Sequence, residues 1–187
     1  VAGIGALLIY PFSIFMNDGS NGEQVEQQAE LPLAIDLPDT VLQYRDLVVA
    51  ACDQNGIPDY VDTILAIMYQ ESGGRVPHVL QSSDSLGLPP NSLGPEESIQ
   101  QGVKYFAELL RTGEAKGVDF NTVLQAYNYG AGFIDYVTAR GGEYLEELAL
   151  HFSEEKAAQL GWERYGDPQY VQHVTGKLMG MGSIIST

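Results

Sequence analysis

The segment from Asp59 to Ser72 carries a glutamate on the apolar face of a predicted helix. Its apolar residues recur at helical spacing, at Val61, Ile64, Leu65 and Met68. The next position of this stripe is Glu71. Burial on an apolar face favours the protonated carboxyl group, and the negative end of the helix dipole acts in the same direction. We therefore predict a raised pKa for Glu71 and a general acid able to protonate a leaving oxygen, such as that of a glycosidic bond.

Two glycines follow this helix and leave the backbone open to a ligand. Gly73 and Gly74 predict the helix end, because glycine adopts the left-handed conformation of a C-terminal cap without steric cost. An alternative interpretation is that Glu71 turns to solvent or pairs with Arg75.

The rest of the pattern predicts a mainly α fold with one long loop. Predicted helices begin near Val41, Pro58, Pro95, Phe120, Phe133, Glu143 and Pro168. Gly56 ends the first of them, Gly141 and Gly142 end the helix from Phe133, and Asp119 and Asp167 cap the helices that follow them. The segment from Glu143 is predicted to be one helix to Leu160, or two helices broken near Ser153. Gly130 and Gly132 interrupt the run after Tyr127. Between Val76 and Gly94 periodicity disappears and Ser, Asp, Gly and Pro accumulate, so this loop is predicted to be functional.

The N-terminal third of the chain divides into an apolar and a polar part. Residues 1–16 carry no charge but fall short of the roughly 20 apolar residues of a membrane span. Because the chain does not begin with Met, we interpret them as a truncated membrane anchor, with a signal peptide or a core helix as alternatives. Residues 17–39 are predicted to be a flexible linker, residues 40–180 the globular domain and residues 181–187 a tail.

Charge and composition disfavour several classes of function. The 187 residues include 25 acidic and 9 basic ones, for a net charge of −16, which disfavours nucleic-acid binding. Cys52 is the single cysteine; its apolar helical surroundings favour a small buried hydrophobe over a nucleophile. His78, His151 and His173 are too scattered to predict a metal site, and we expect no metal or cofactor.

Three motifs occur in order along the chain: Gln70-Glu71-Ser72-Gly73-Gly74, then residues 79–87 (VLQSSDSLG), then residues 125–130 (QAYNYG). Together they resemble the lysozyme-like muramidase domain of cell-wall hydrolases from Gram-positive conjugative elements, which is related to goose-type lysozymes and soluble lytic transglycosylases. Residues 86–92 and 96–106 are similar to the same family. The resemblance covers about residues 41–178.

The resemblance implies a role for several residues. Glu71 matches the catalytic acid, and Tyr127 matches a tyrosine whose hydroxyl reaches toward it, although spacing alone would place Tyr127 in the core. The resemblance also implies a set of substrate-binding residues: Gln81, Ser82, Ser85, Asn128 and Tyr129. His78 and Leu80 depart from the family pattern, which usually has Asp and Met before the glutamine.

The resemblance further implies a peptidoglycan hydrolase that cleaves the β-1,4 bond between N-acetylmuramic acid and N-acetylglucosamine. Asp84 and Glu97 are the candidates for a second carboxylate, with Glu96 also near the loop. If none of them faces Glu71, an N-acetyl or 6-hydroxyl group of the substrate takes this role. Two alternatives stay open: a lytic transglycosylase using the same acid, and a non-catalytic wall-binding or assembly module. We expect glycan strands, the membrane and cell-wall machinery as partners. The predicted location is a single-pass anchor with the domain on the extracytoplasmic face.

Overall fold

A computed structural model of the chain describes residues 37–75, 79–82, 87, 89 and 92–179. These residues form eight α-helices and no β-strand, which confirms the mainly α prediction. In chain order the helices are α1 (Asp39–Leu42), α2 (Arg45–Asn55), α3 (Val61–Ser72), α4 (Pro95–Lys116), α5 (Phe120–Tyr129), α6 (Gly132–Thr138), α7 (Glu146–Leu160) and α8 (Tyr170–Met179). A 3₁₀ turn, Pro58–Tyr60, precedes α3.

The predicted helix ends agree with the structure at most positions. Gly56 and Gly73 cap α2 and α3 in the left-handed conformation, with φ of 73° and 64°. Asp119 caps α5, since its Oδ1 accepts a hydrogen bond of 2.8 Å from the backbone N–H of Thr122. Glu97 accepts a hydrogen bond of 3.1 Å from the Gly94 N–H, completing the start of α4.

Several predicted boundaries differ from the structure. The helix predicted from Pro58 begins at Val61, after the 3₁₀ turn. The first helix is divided into α1 and α2 by a turn at Gln43 and Tyr44. The segment from Glu143 holds a single helix that starts at Glu146 and continues through Ser153, whose hydroxyl donates to the Tyr165 carbonyl at 2.6 Å. The last helix begins at Tyr170, two residues after Pro168.

The long helix α4 lies at the centre of the packing. It contacts both α2 and α5, while α3 packs against α8 and α5 packs against α6. The core is formed by apolar residues from all eight helices, including Val48, Ile64, Phe106, Leu124 and Phe133. Leu37, within the segment predicted as linker, is also buried in this core.

Cys52 lies inside this core. Burial raises the pKa of its thiol to about 11, so the reactive thiolate is disfavoured. The prediction of a small buried hydrophobe is confirmed.

The N-terminal and C-terminal predictions fall outside the described residues. The anchor (residues 1–16), most of the linker and the tail (residues 181–187) belong there, as do His78, Asp84 and Ser85 of the loop. Among the helices that the structure describes, none is long and apolar enough to cross a membrane.

Candidate active site

The C-terminal end of α3 is held in place by α1. The Thr40 hydroxyl donates to the Gly73 carbonyl at 2.7 Å. Gly74 is buried with a φ of 71°, and a Cβ atom there would lie 2.1 Å from the Thr40 carbonyl oxygen. Only glycine fits this close backbone approach. The turn after Glu71 is therefore anchored to the domain.

The Glu71 side chain is part-buried and bonded to a tyrosine. The Tyr170 hydroxyl donates to Glu71 Oε1 at 2.5 Å. Burial raises the pKa of Glu71 to about 7; the Tyr170 hydrogen bond opposes this rise, and the nearby negative charge of Asp167 adds to it. The predicted direction of the shift and its cause by burial agree with the structure. Among the described residues, Arg75 forms no ion pair with Glu71.

Tyr170 is a functional candidate that the sequence reasoning missed. It is 1% exposed in the first turn of α8, and burial raises its hydroxyl pKa well above the usual range. The bond joins residues 99 positions apart in the chain. A signal was present, because Tyr170 precedes Val174 by one helical turn and so extends the predicted inner stripe of α8.

The described part of the long loop is fastened to Ser98 on α4. The Leu80 N–H donates to Ser98 Oγ at 3.1 Å, and the Ser82 hydroxyl donates to the Ser98 carbonyl at 2.9 Å. Between these anchors Gln81 is exposed and adopts a φ of 50°, the only positive value among the described non-glycine residues. Such a conformation at a cavity wall costs about 1–3 kcal/mol and requires firm surroundings.

Tyr127 packs its ring inward and bonds the long loop through its hydroxyl. Its ring contacts Tyr105 and Phe106, and its hydroxyl donates to the Leu80 carbonyl at 3.1 Å. The direct hydrogen bond to Glu71 belongs to Tyr170. Tyr127 nevertheless lies near the acid, since the charge of Glu71 adds to burial in raising the Tyr127 pKa well above its usual range.

Asn128 and Tyr129 also make internal bonds. Asn128 Oδ1 accepts a hydrogen bond of 2.7 Å from the Asp167 N–H, which joins the end of α5 to the segment before α8. Tyr129 is 2% exposed, and its hydroxyl donates to the Ala149 carbonyl at 3.1 Å. The Tyr129 hydroxyl therefore already serves the packing of α5 against α7.

One cavity gathers most of the predicted site residues. Its volume is about 500 Å³. It is lined by residues from α3, the long loop, α4, α5 and the segment before α8: Glu71, Leu80, Gln81, Ser82, Tyr105, Tyr127, Asn128, Tyr129, Gly130 and Tyr165. An acid, several amides and several phenol rings in one cleft suit a neutral, hydroxyl-rich ligand.

Of the candidates for a second carboxylate, Asp84 lies outside the described residues, and Glu96 and Glu97 do not line this cavity. Glu96 and Glu97 line a different depression, beside Gln54 and Lys104, and Glu97 is bonded to the Gly94 N–H. The remaining acid that influences Glu71 is Asp167, whose Oδ2 contacts His173 Nδ1 at 2.7 Å. No three His, Cys, Asp or Glu side chains of the described chain are grouped so as to hold a metal ion.

Comparison with known proteins identifies relatives of this domain. The family model described as lysozyme-like matches residues 38–182. The bifunctional muramidase/DL-endopeptidase CwlT of Bacillus subtilis (strain 168) is 46% identical over 141 residues, which are 75% of this chain and 42% of CwlT. The uncharacterized membrane protein YocA of the same organism is 43% identical, over 66% of this chain and 57% of YocA.

A solved structure shows the same fold. It is a Staphylococcus aureus protein described as similar to lipoprotein, NLP/P60 family. Its TM-score is 0.73 and its sequence identity 44%, over 82% of this chain and 56% of that chain.

The chain spans about half the length of these relatives. The matched region nevertheless includes α1 to α8 and every described residue of the cavity. This chain therefore belongs to the lysozyme-like family.

Proposed function

We propose that this domain is a peptidoglycan glycosidase that cleaves the β-1,4 bond between N-acetylmuramic acid and N-acetylglucosamine, with Glu71 as general acid. The observation that carries the proposal is the Glu71 carboxyl group, which lines the cavity with a pKa of about 7. At neutral pH a large fraction of this group holds its proton. The muramidase name of CwlT supports the same substrate class.

The proton of Glu71 passes to the glycosidic oxygen as the bond to the sugar carbon breaks and positive charge develops on the ring. In hydrolysis, water bonds to this carbon, and the proton that it releases later restores the acid. The resulting carboxylate accepts the hydrogen bond of Tyr170, which favours the charged form. Burial and this bond act in opposite directions, and together they bring the pKa of the acid close to neutral pH, where general acid catalysis is efficient.

Gln81 and Asn128 are proposed to hold the sugars. Both line the cavity, and an amide side chain can both donate to and accept from sugar hydroxyl and acetamido groups. Ser82 is assigned a supporting role, because its hydroxyl is bonded to the Ser98 carbonyl and fixes the loop that carries Gln81. Tyr127 also fixes this loop, because its hydroxyl donates to the Leu80 carbonyl.

A lytic transglycosylase is the second candidate function. Glu71 is the only carboxylate among the described residues that line the cavity. A mechanism that needs no second protein carboxylate uses the 6-hydroxyl group of N-acetylmuramic acid. This group attacks the sugar carbon and forms an anhydro ring as the glycosidic bond breaks, and its proton passes to the Glu71 carboxylate. No water is consumed in this reaction.

Mass spectrometry of digested sacculi tests the proposal. A hydrolase yields reducing ends, one water molecule heavier per cut than the anhydro ends of a transglycosylase. Absence of both products from the purified protein would favour a non-catalytic wall-binding module.

Activity is expected to depend on pH through Glu71. Because the protonated form is active and its pKa is about 7, the rate should fall as pH rises through this value. In Tyr170→Phe the carboxylate loses a hydrogen bond that favours its charged form, so the pKa of Glu71 should rise further. The descending limb of the pH–rate profile should then move to higher pH, with a lower maximal rate because the acid is less well oriented.

Tyr136→Phe is the matched control for this measurement. The Tyr136 hydroxyl donates to the exposed Glu155 at 3.1 Å and lies outside the cavity, so its removal should leave the profile unchanged. A Tyr170→Phe profile that coincides with wild type would show that the bond does not set the pKa of the acid.

The location of the domain is also proposed. We infer an extracytoplasmic domain held at the membrane through residues 1–16, supported by the absence of charge in that segment and by the membrane-protein name of YocA. Cell fractionation of the chain with and without residues 1–16 tests this inference. Recovery of both forms in the soluble fraction would contradict it.

A further inference from the structure

The segment between α7 and α8 exposes an aromatic ring next to the cavity. Trp162 is 59% exposed, the largest value among the exposed large apolar residues of the described chain. It is also the single tryptophan in the sequence. An exposed indole has a large apolar face that a ligand can cover.

The indole lies against the ring of Tyr165. The two rings are stacked, with centroids 6.1 Å apart and planes inclined by 23°. Gly161, with a φ of 69°, ends α7 just before the tryptophan, and the Trp162 N–H donates to the Ala157 carbonyl at 2.9 Å. Both features belong to the backbone, and they fix the point from which the Trp162 side chain projects.

Tyr165 is itself fixed at both ends. Its hydroxyl donates to the Tyr129 carbonyl at 3.0 Å, and its own carbonyl accepts from the Ser153 hydroxyl at 2.6 Å. The Tyr165 ring also packs on Tyr129, with centroids 5.8 Å apart. Because Tyr165 lines the cavity that contains Glu71, the stacked pair is continuous with the wall of the proposed site.

We propose that Trp162 and Tyr165 form an outer sugar subsite, in which the indole stacks on the apolar C–H face of an N-acetylated hexosamine of the bound strand. The inference rests on the proposed function and extends it. A cavity of about 500 Å³ has the size of a small-ligand site, whereas a glycan strand is a polymer that continues past it. An indole stacked on a residue of the cavity wall presents an apolar face to such a strand.

The single tryptophan makes the subsite directly observable. In a Glu71→Gln background, which prevents consumption of the ligand, the protein is titrated with oligosaccharides of N-acetylglucosamine of increasing length while tryptophan emission is recorded. Short oligosaccharides that fill only the cavity should leave the emission unchanged. Longer ones should shift it to shorter wavelength, because a sugar ring then removes water from the indole.

Substitutions test the energetic contribution of the ring. Trp162→Ala should weaken binding of the longer oligosaccharides about five- to tenfold, the size expected for one aromatic stacking contact, and leave the affinity for short ones unchanged. Trp162→Phe keeps a smaller aromatic ring, so its affinity for the longer oligosaccharides should lie between those of Trp162→Ala and the parent. Leu145→Ala is the control, since Leu145 is 53% exposed at the opposite end of α7 and should leave both affinities unchanged.

Three results would overturn the subsite. Long oligosaccharides that bind, as measured by calorimetry, without changing the emission would place the strand elsewhere. Equal affinities of Trp162→Ala and its parent for oligosaccharides of every length would also show that the strand does not contact Trp162. An emission shift caused by phosphatidylglycerol vesicles or by raised protein concentration, and not by oligosaccharides, would assign the ring to a membrane or to a second copy of the chain.

The experiments distinguish failure of the subsite from failure of the proposed catalytic function. Wild-type protein that cuts sacculi while Trp162→Ala behaves as its parent would leave the proposed function intact and remove only the subsite. Wild-type protein that cuts nothing, combined with a length-dependent emission shift, would retain the subsite on a non-catalytic glycan-binding domain.

Discussion

Replacing Glu71 by Gln is expected to lower the rate of glycan cleavage by about 10²- to 10⁴-fold, the usual contribution of general acid catalysis. The amide has nearly the shape of the acid and still accepts the Tyr170 hydrogen bond through its oxygen, but it cannot supply a proton. The loss should therefore be in kcat, with little change in affinity for oligosaccharides. Product release from purified sacculi and calorimetric binding measure the two quantities separately.

The pH dependence of thermal stability shows whether Glu71→Gln is folded. Because the folded-state pKa of Glu71 is raised from 4.5 to about 7, wild-type stability should fall as pH rises through this interval and then level off. Glu71→Gln should lack this part of the pH dependence and unfold at an equal or higher temperature than wild type at pH 8. Cleavage at the wild-type rate by Glu71→Gln would show that the acid has been misassigned.

Gly102→Ala is expected to lower kcat/KM about 10- to 100-fold by displacing the cavity wall. A Cβ atom at Gly102 on α4 would lie 2.7 Å from Leu80 Cδ1 and 2.8 Å from the Tyr127 hydroxyl oxygen. Both groups must move, and with them Gln81, because the Tyr127 hydroxyl bonds the Leu80 carbonyl. Misplacement of binding groups by about 1 Å can reduce turnover by about 10². Steady-state kinetics on sacculi measures the effect.

Gly113→Ala on the same helix is the matched control. There a Cβ atom would lie 2.4 Å from a Val123 methyl group, in a part of the core that does not line the cavity. Overpacking should cost about 1–3 kcal/mol in both variants, partly offset by the higher helix propensity of alanine. Gly113→Ala should thus lose stability and keep its kcat/KM in the folded fraction. Equal kcat/KM losses in the two variants would show that the Gly102 effect is one of stability alone.

Local sequence determined most of the helix ends and the environment of the acid. Gly56 and Gly73 end their helices because they adopt left-handed backbone conformations, and Asp119 begins α5 because its carboxylate satisfies a free N–H. The raised pKa of Glu71 could be predicted because the helical period alone places this carboxyl group on the apolar face of α3. These effects act between residues that are close in the chain, so the sequence pattern is enough to predict them.

Tertiary structure alone decided which groups meet at the acid. Tyr170 bonds Glu71 from α8, Asn128 bonds the Asp167 backbone, and Ser98 fastens the loop that carries Gln81. The spacing of Tyr127 predicted that its ring faces inward. It did not predict the partner of its hydroxyl, which is the Leu80 carbonyl because the fold brings this group within hydrogen-bond distance. Hydrogen-bond partners are set by which helices pack together, and residues 99 positions apart share no local pattern that could reveal their contact.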